Sequence, residues 1–252
     1  MPRAILAQSA HADRSRTMSS VSDELGVSPS TLRTWERRYG LGPVQRETGE
    51  RRRYQPEDVD RLRAMIHHVR AGMSAAEAAK HMIELLKGKK GSVGMVCHDA
   101  TSTTGKQRCE GFKEYFKANA PADLKLLDEQ IAGEVTKAAD TSKAIIQAND
   151  DIVGMYGSNE AAASGIVQGV AESGKDVTVV GFDSGKTQMD AIKSGTEAGA
   201  VTQSPVKIGY YTVKAAVAAL NGAELPKVID SGFAWYDKTN IDHPEIKANL
   251  YE

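Results

Sequence analysis

From residue 91 to residue 203 the chain alternates short apolar runs with helical patterns, and that alternation leaves few folds open. Residues 93–97, 124–127, 152–156, 177–181 and 198–202 read as strands. Between them, helical spacing covers 107–119, a segment ending near 146, then 159–172 and 187–194. Such alternation predicts a three-layer α/β domain, a parallel sheet flanked by helices. Ligands of such sheets bind beyond the carboxyl ends of the strands. Asp99, Ser158, Asn159, Asp183 and Gln203 stand at those ends. Each also has a plainer reading: Asn159 can cap a helix and Asp183 can simply end a strand.

The first ninety residues are of another kind. Gly26, Ser28 and Pro29 form a turn followed by a helix start. Leu32, Trp35 and Tyr39 then share one helical face, with Arg33, Arg37 and Arg38 off it. A short helix over 21–25 precedes the turn, which makes a helix-turn-helix. Gly40, Gly42, Pro43 and Gly49 punctuate an expected hairpin over 41–55, a wing that ends in Arg51, Arg52, Arg53 and Tyr54. Arginines on a helix and on an adjoining hairpin are suited to the edges and phosphates of double-stranded DNA. Trp35 reads as a core residue. Pro56, Glu57 and Asp58 open a helix that Gly72 is expected to stop, and Ser74 with Glu77 forms a capping box for another helix to about Leu86.

Charge divides the chain in the same way. Residues 1–90 hold 17 Lys and Arg against 11 Asp and Glu, while the remainder holds 15 against 22. A basic head on an acidic body points to nucleic acid at one end only. Cys97 and Cys109 are too few for a disulfide framework, match no zinc spacing, and read as reduced thiols. No run approaches a membrane span or a signal peptide, so a cytoplasmic protein with no membrane partner is expected. No nucleophile–base pair, metal spacing or phosphate loop emerges. Gly181-Phe182-Asp183-Ser184-Gly185 lacks the Lys-Ser/Thr of such a loop. The chain therefore does not read as an enzyme, and no metal or cofactor is expected.

Two resemblances follow from quoted motifs. Ser30-Thr31-Leu32-Arg33, Trp35-Glu36-Arg37-Arg38-Tyr39-Gly40, Arg52-Arg53-Tyr54 and the run from Glu57 to Leu62 resemble the winged helix-turn-helix of MerR-type transcription regulators. The form around Trp35 is similar to the light- and cobalamin-responsive branch. The Asp-x-His-x-x-Gly of its cobalamin domain is missing, so cobalamin is not expected. The resemblance implies DNA contacts at Thr31, Arg33, Thr34, Arg37, Arg38, Arg51, Arg52, Arg53 and Tyr54. Thr34 stands where that pattern commonly has an aromatic.

Arg108-x-Glu110-Gly111-Phe112, Gly157-Ser158-Asn159-Glu160, Val180-Gly181-Phe182-Asp183 and Val201-Thr202-Gln203-x-Pro205 resemble the second half of a type I periplasmic sugar-binding protein. That class shares its fold with the ligand domain of LacI-type repressors. The resemblance implies that Arg108, Asn159, Asp183 and Gln203 bond the hydroxyls of a monosaccharide-like ligand. It also implies a missing first lobe, because the head stands where that lobe belongs.

The expected organisation is an arm over 1–16, a DNA-binding domain over 17–87, a linker over 88–91, and one lobe of a periplasmic-binding-protein-like fold over 92–252. Ile208, Tyr211, Val213, Ala215, Ala216 and Leu220 give a further helix an apolar face that something must cover. The head, a second chain in a homodimer, or neither, if two halves were joined artificially, are the choices. The expected function is a DNA-binding transcription regulator with a sugar-sensing domain. The alternative is part of a transporter's solute-binding protein fused to a DNA-binding head.

Overall fold

In the computed structural model the described residues are 15–39, 41–43, 53–225 and 229–251; inside helices, the side chains of 31, 34, 37–39 and 64–73 are not among them. The chain divides into two units, Met1–His67 and His68–Glu252.

In the first unit β1 (Arg16–Thr17) runs into α1 (Met18–Leu25). The Thr17 hydroxyl accepts from the Ser20 N–H at 3.2 Å and caps α1. Gly26 ends it at φ 62°, a left-handed conformation that glycine adopts without steric cost. α2 (Pro29–Tyr39) begins on its proline, where a missing N–H is harmless. β2 (Arg53–Tyr54) pairs antiparallel with β1, and α3 (Pro56–Leu85) follows. Val21, Leu32, Trp35, Tyr54, Val59 and Leu62 are buried, so Leu32 and Trp35 turn inward as their spacing predicts. Arg16 belongs to this ladder rather than to a loose arm. Most of the expected wing, with Arg51 and Arg52, lies outside the described residues.

α3 corrects the expected break at Gly72, because it is one helix of 30 residues. A glycine inside a helix costs about 1 kcal/mol relative to alanine, which packing on either side readily offsets. Its last turns belong to the second unit. Ala75, Ala78, Ala79 and Met82, with Leu86 just beyond, sit in that unit's main core. Gly154 explains how they fit, since a side chain there would meet Met82 and Leu86 at 2.9–3.0 Å. The last turns of α3, which fall within the expected DNA-binding domain over 17–87, thus pack into the α/β body.

The second unit runs β3 (Gly91–Cys97), α4 (Thr103–Asn119), β4 (Leu124–Leu126), β5 (Gln130–Ile131), α5 (Val135–Ala148), β6 (Ile152–Gly157) and α6 (Glu160–Ser173). It continues through β7 (Thr178–Phe182), α7 (Lys186–Ser194), β8 (Gly199–Gln203), α8 (Pro205–Leu220), β9 (Phe233–Asp237) and α9 (Pro244–Lys247). The sheet order is β4-β3-β6-β7-β8-β9, with β5 continuing the β4 edge beside β3. All pairs are parallel except β8 with β9. Val93, Met95 and Cys97 point to one face with Phe112, Tyr156 and Phe182. Val96, Met155 and Val179 point to the other, under Ala138, Ala162 and Ile166 of α5 and α6. These opposed clusters make the three layers expected.

Cys97 and Cys109 form a disulfide with Cα atoms 6.1 Å apart, not two free thiols. One ends β3 and the other lies on the inward face of α4. Strand–helix packing, rather than their spacing, brings them together.

Candidate functional site

The chain leaves β3 for one edge of the sheet and returns across it to β6. The carboxyl end of β3 is therefore the switch point, where a crevice opens in sheets of this order. Four expected residues lie around it. Arg108 extends from α4 and is 7% exposed. Its Nη1 and Nη2 donate to the two carboxylate oxygens of Asp183 at 2.9 and 3.1 Å, a bidentate pair. Nη2 also donates to Gln203 Oε1 at 3.2 Å, and Nη1 to the Ser158 carbonyl at 3.0 Å. The guanidinium carbon sits 3.9 Å from the centroid of the Phe182 ring. Such stacking fixes the plane of the fork without using its donors.

Asp183 follows β7 at φ 80°, the one non-glycine residue with positive φ among those described. Aspartate tolerates that region better than branched residues do. Two contacts hold it: its N–H donates to the Val201 carbonyl at 2.8 Å, and the Tyr236 hydroxyl donates to its carbonyl at 2.8 Å. Backbone held in a sparsely populated conformation is a recurrent sign of function. Asn159 serves its structural role as well, because its Oδ1 accepts the Ala162 N–H at 2.9 Å and caps α6. Its amide nitrogen is the part a ligand can use. Gln203 ends β8 and is exposed.

Sequence reasoning missed several neighbours. His98 directly follows β3 and is half-buried. Its N–H donates to Ser158 Oγ at 2.8 Å, and its Nδ1 lies 2.7 Å from the same atom. Burial, then the nearby Arg108 charge, hold its pKa below the ordinary imidazole value, so it is neutral near pH 7. Glu160 opens α6 and is hydrogen-bonded by Tyr251. Burial and the charge of Asp183 push its carboxyl up. Position immediately after a strand is the available signal for His98, and for Tyr251 the resemblance of the tail around Leu250 and Tyr251 to the sugar-binding proteins, which assigns it no role. Asp99 proves to be a turn residue. Ser102, then Thr101, hold its carboxylate well below the usual range through hydrogen bonds.

The arrangement suits a small polyhydroxy ligand. Asp183 and Gln203 supply acceptors, Arg108 and Asn159 supply donors, and the Phe182 ring backs the Arg108 fork.

In the first unit Arg33 and Arg53 are exposed. Thr31, Thr34, Arg37 and Arg38 lie in α2, with side chains outside the described set, as are Arg51 and Arg52 altogether. Tyr54 requires a correction. It is fully buried and packs the core of this unit, so its side chain is not at a DNA-facing surface. Arg61 and Arg63 tie the unit internally, through Asp58 at 2.6 Å and Asp60 at 3.2 Å.

Residues 69–224 match the periplasmic binding protein domain, and residues 16–85 match the MerR HTH family regulatory protein model. Neither is an enzyme family. The D-allose-binding periplasmic protein of Escherichia coli K12 is 30% identical over 167 residues, 62% of this chain and 53% of that protein. The ribose import binding protein of Bacillus subtilis 168 is 30% identical over 117 residues, 46% of this chain and 38% of its own. An ABC transporter solute-binding protein from Agrobacterium vitis with bound D-fucose superposes with TM-score 0.67 at 27% identity, over 72% of this chain and 63% of that one. Another from the same organism, bound to α-D-tagatopyranose, gives TM-score 0.66 at 31% identity, over 72% and 61%. The chain spans about half the length of the curated relatives it matches, or less.

Proposed function

The chain belongs to the periplasmic binding protein family through residues 69–224, and from that membership we propose a DNA-binding transcription regulator whose second unit recognises a monosaccharide. The observation that carries the sugar reading is the buried Arg108 fork, paired with Asp183 and stacked on Phe182 at the switch point. A sugar ring presents adjacent hydroxyls that both donate and accept. Asp183 accepts a hydrogen bond from one hydroxyl, while Arg108 and the Asn159 amide donate to its neighbours. Gln203 closes the rim. The relatives named for D-allose and ribose, and the structures holding D-fucose and tagatose, support a pentose or hexose. Among the described residues every site group comes from the carboxyl end of one sheet. Affinity should therefore fall well below that of a site enclosed by two lobes.

The match of residues 16–85 supports DNA as the other partner, with Arg33, Arg37, Arg38 and Arg51 to Arg53 as the contacts, and hence a cytoplasmic location. A second reading, part of a transporter's solute-binding protein carrying an unrelated head, is favoured by one feature. The Cys97–Cys109 disulfide suits an oxidising compartment better than the cytoplasm.

Isothermal titration with D-allose, D-ribose, D-fucose and D-tagatose tests the site. One of them should bind saturably, and Asp183→Asn should weaken binding about tenfold or more, since it loses a charge-assisted acceptor. Indifference to all four sugars, or an Asp183→Asn variant that binds as well as the parent, refutes the assignment.

A further inference from the structure

Adjacent parallel strands β3, β6, β7 and β8 end in one row, and polar residues stand on each crest. His98 follows β3, Ser158 and Asn159 follow β6, Asp183 follows β7, and Gln203 ends β8. His98 is the member of this row that stands at the switch point itself. Its ring has no part in the proposed sugar contacts.

The hydrogen bonds fix what that ring can do. Ser158 is fully buried, and its hydroxyl oxygen accepts the His98 backbone N–H at 2.8 Å. Its own proton goes to the ring Nδ1, 2.7 Å away. Were Nδ1 the protonated nitrogen, the buried hydroxyl would have no acceptor among the described residues, which is costly. Burial and the Arg108 charge of α4 keep the ring neutral, against the smaller pull of Asp183 after β7 and of Asp99 beside it. A neutral imidazole carries one N–H, so here it is Nε2–H. Ser158 sets its orientation, and it has no partner among the described residues. Arg108 is in the opposite condition. Its Nη1 and Nη2 carry two hydrogens each and make two bonds each, to Ser158, Asp183 and Gln203. A ligand must share those hydrogens, whereas His98 holds one that is uncommitted.

We propose that His98 is a further specificity-determining residue, whose Nε2–H donates to a hydroxyl or ring oxygen of the bound sugar over the end of β3. The inference rests on the sugar reading and extends its contacts from β6, β7 and β8 to the strand at the switch point. A sugar with a methylene in place of that oxygen leaves the donor unpaired and binds less well. Ser158 acts through His98: it is too buried to meet the ligand, and it holds the ring in the tautomer that donates outward.

Two substitutions in the full chain separate this role from a merely structural one. His98→Asn places an amide oxygen near the Nδ1 position, where it accepts from Ser158, and removes the outer donor. His98→Gln restores a donor near the Nε2 position. Isothermal titration with D-allose, D-ribose, D-fucose and D-tagatose should show His98→Asn binding about five- to tenfold more weakly than the parent, as loss of one neutral hydrogen bond would. His98→Gln should recover most of that loss, and melts of the Asn variant should match the parent's. Proton–nitrogen correlation NMR of the imidazole should show the Nε2–H form without sugar, and a shift at Nε2 when sugar is added. A His98→Asn variant that binds as tightly as the parent, a His98→Gln variant no tighter than His98→Asn, a ring protonated on Nδ1, or an Nε2 resonance that saturating sugar leaves unmoved would each overturn the assignment and leave the sugar reading standing. A parent indifferent to all four sugars refutes that reading and this assignment with it.

Discussion

Glu197 is a single residue with a consequence that can be measured. It is 1% exposed, beneath the site, and accepts from Gln188 Nε2 at 2.8 Å. Among the described residues its Oε2 and the Oε1 of Gln188 are buried with no hydrogen-bond partner. Burial pushes its carboxyl up from 4.5 to about 8, against the smaller opposing effect of Gln188. The folded chain therefore keeps a proton that the unfolded chain gives up near its ordinary value. The contribution of Glu197 to stability is fully present below pH 4.5 and is lost as pH rises towards about 8, above which both states are ionised. Glu197→Gln removes that slope. Thermal melts at pH 5 and pH 8 should show the variant gaining on the parent by several degrees at the higher pH. Parallel melts would show that Glu197 is already charged in the folded protein. The same scale shows what sequence conveys. Arg108, Asp183 and Gln203 stand out as candidates in the sequence because a strand end or a family pattern marks each. Glu197 was not, because its character comes from being buried under neighbours distant in sequence. Tyr54 misled for a related reason: an aromatic after arginines reads as surface, yet a half-buried strand turns alternate side chains inward.

At the scale of elements, the parallel strands were legible because each is an apolar run that little else accommodates. β9 was not, since Phe233–Asp237 mixes aromatic and acidic residues and gains its meaning only by pairing with β8. The unbroken α3 was misread because Gly72 is a weak breaker and the alanine stripe near Leu86 serves the second core. The disulfide joins β3 to α4, with Cys97 next to His98 and Cys109 next to Arg108. It closes a loop of 12 residues. A link of that length stabilises by about 3 kcal/mol in the chain-entropy account. Reduction should then lower the melting temperature by roughly 6–12 °C and weaken sugar binding through the displaced Arg108 fork. A melt unchanged by reductant, with both thiols shown to be free, would mean that packing alone fixes β3 against α4.

Over the whole molecule, two chemistries share one chain: a basic head matched to DNA-binding regulators and an acidic α/β body matched to sugar binders. Composition hid this, because the net charge of -1 averages opposite halves. The proposed regulator requires coupling between the two, a change in DNA affinity when sugar binds. Fluorescence anisotropy of a labelled 30-base-pair duplex, titrated with the full chain at two salt concentrations and with each sugar present or absent, addresses this directly. DNA affinity should fall steeply with salt, and the sugar that binds should shift it several-fold, with the shift lost in Asp183→Asn. Affinity for DNA that no bound sugar alters, or no affinity for DNA at all, would contradict a sugar-responsive regulator and leave a sugar-binding body beside an idle head.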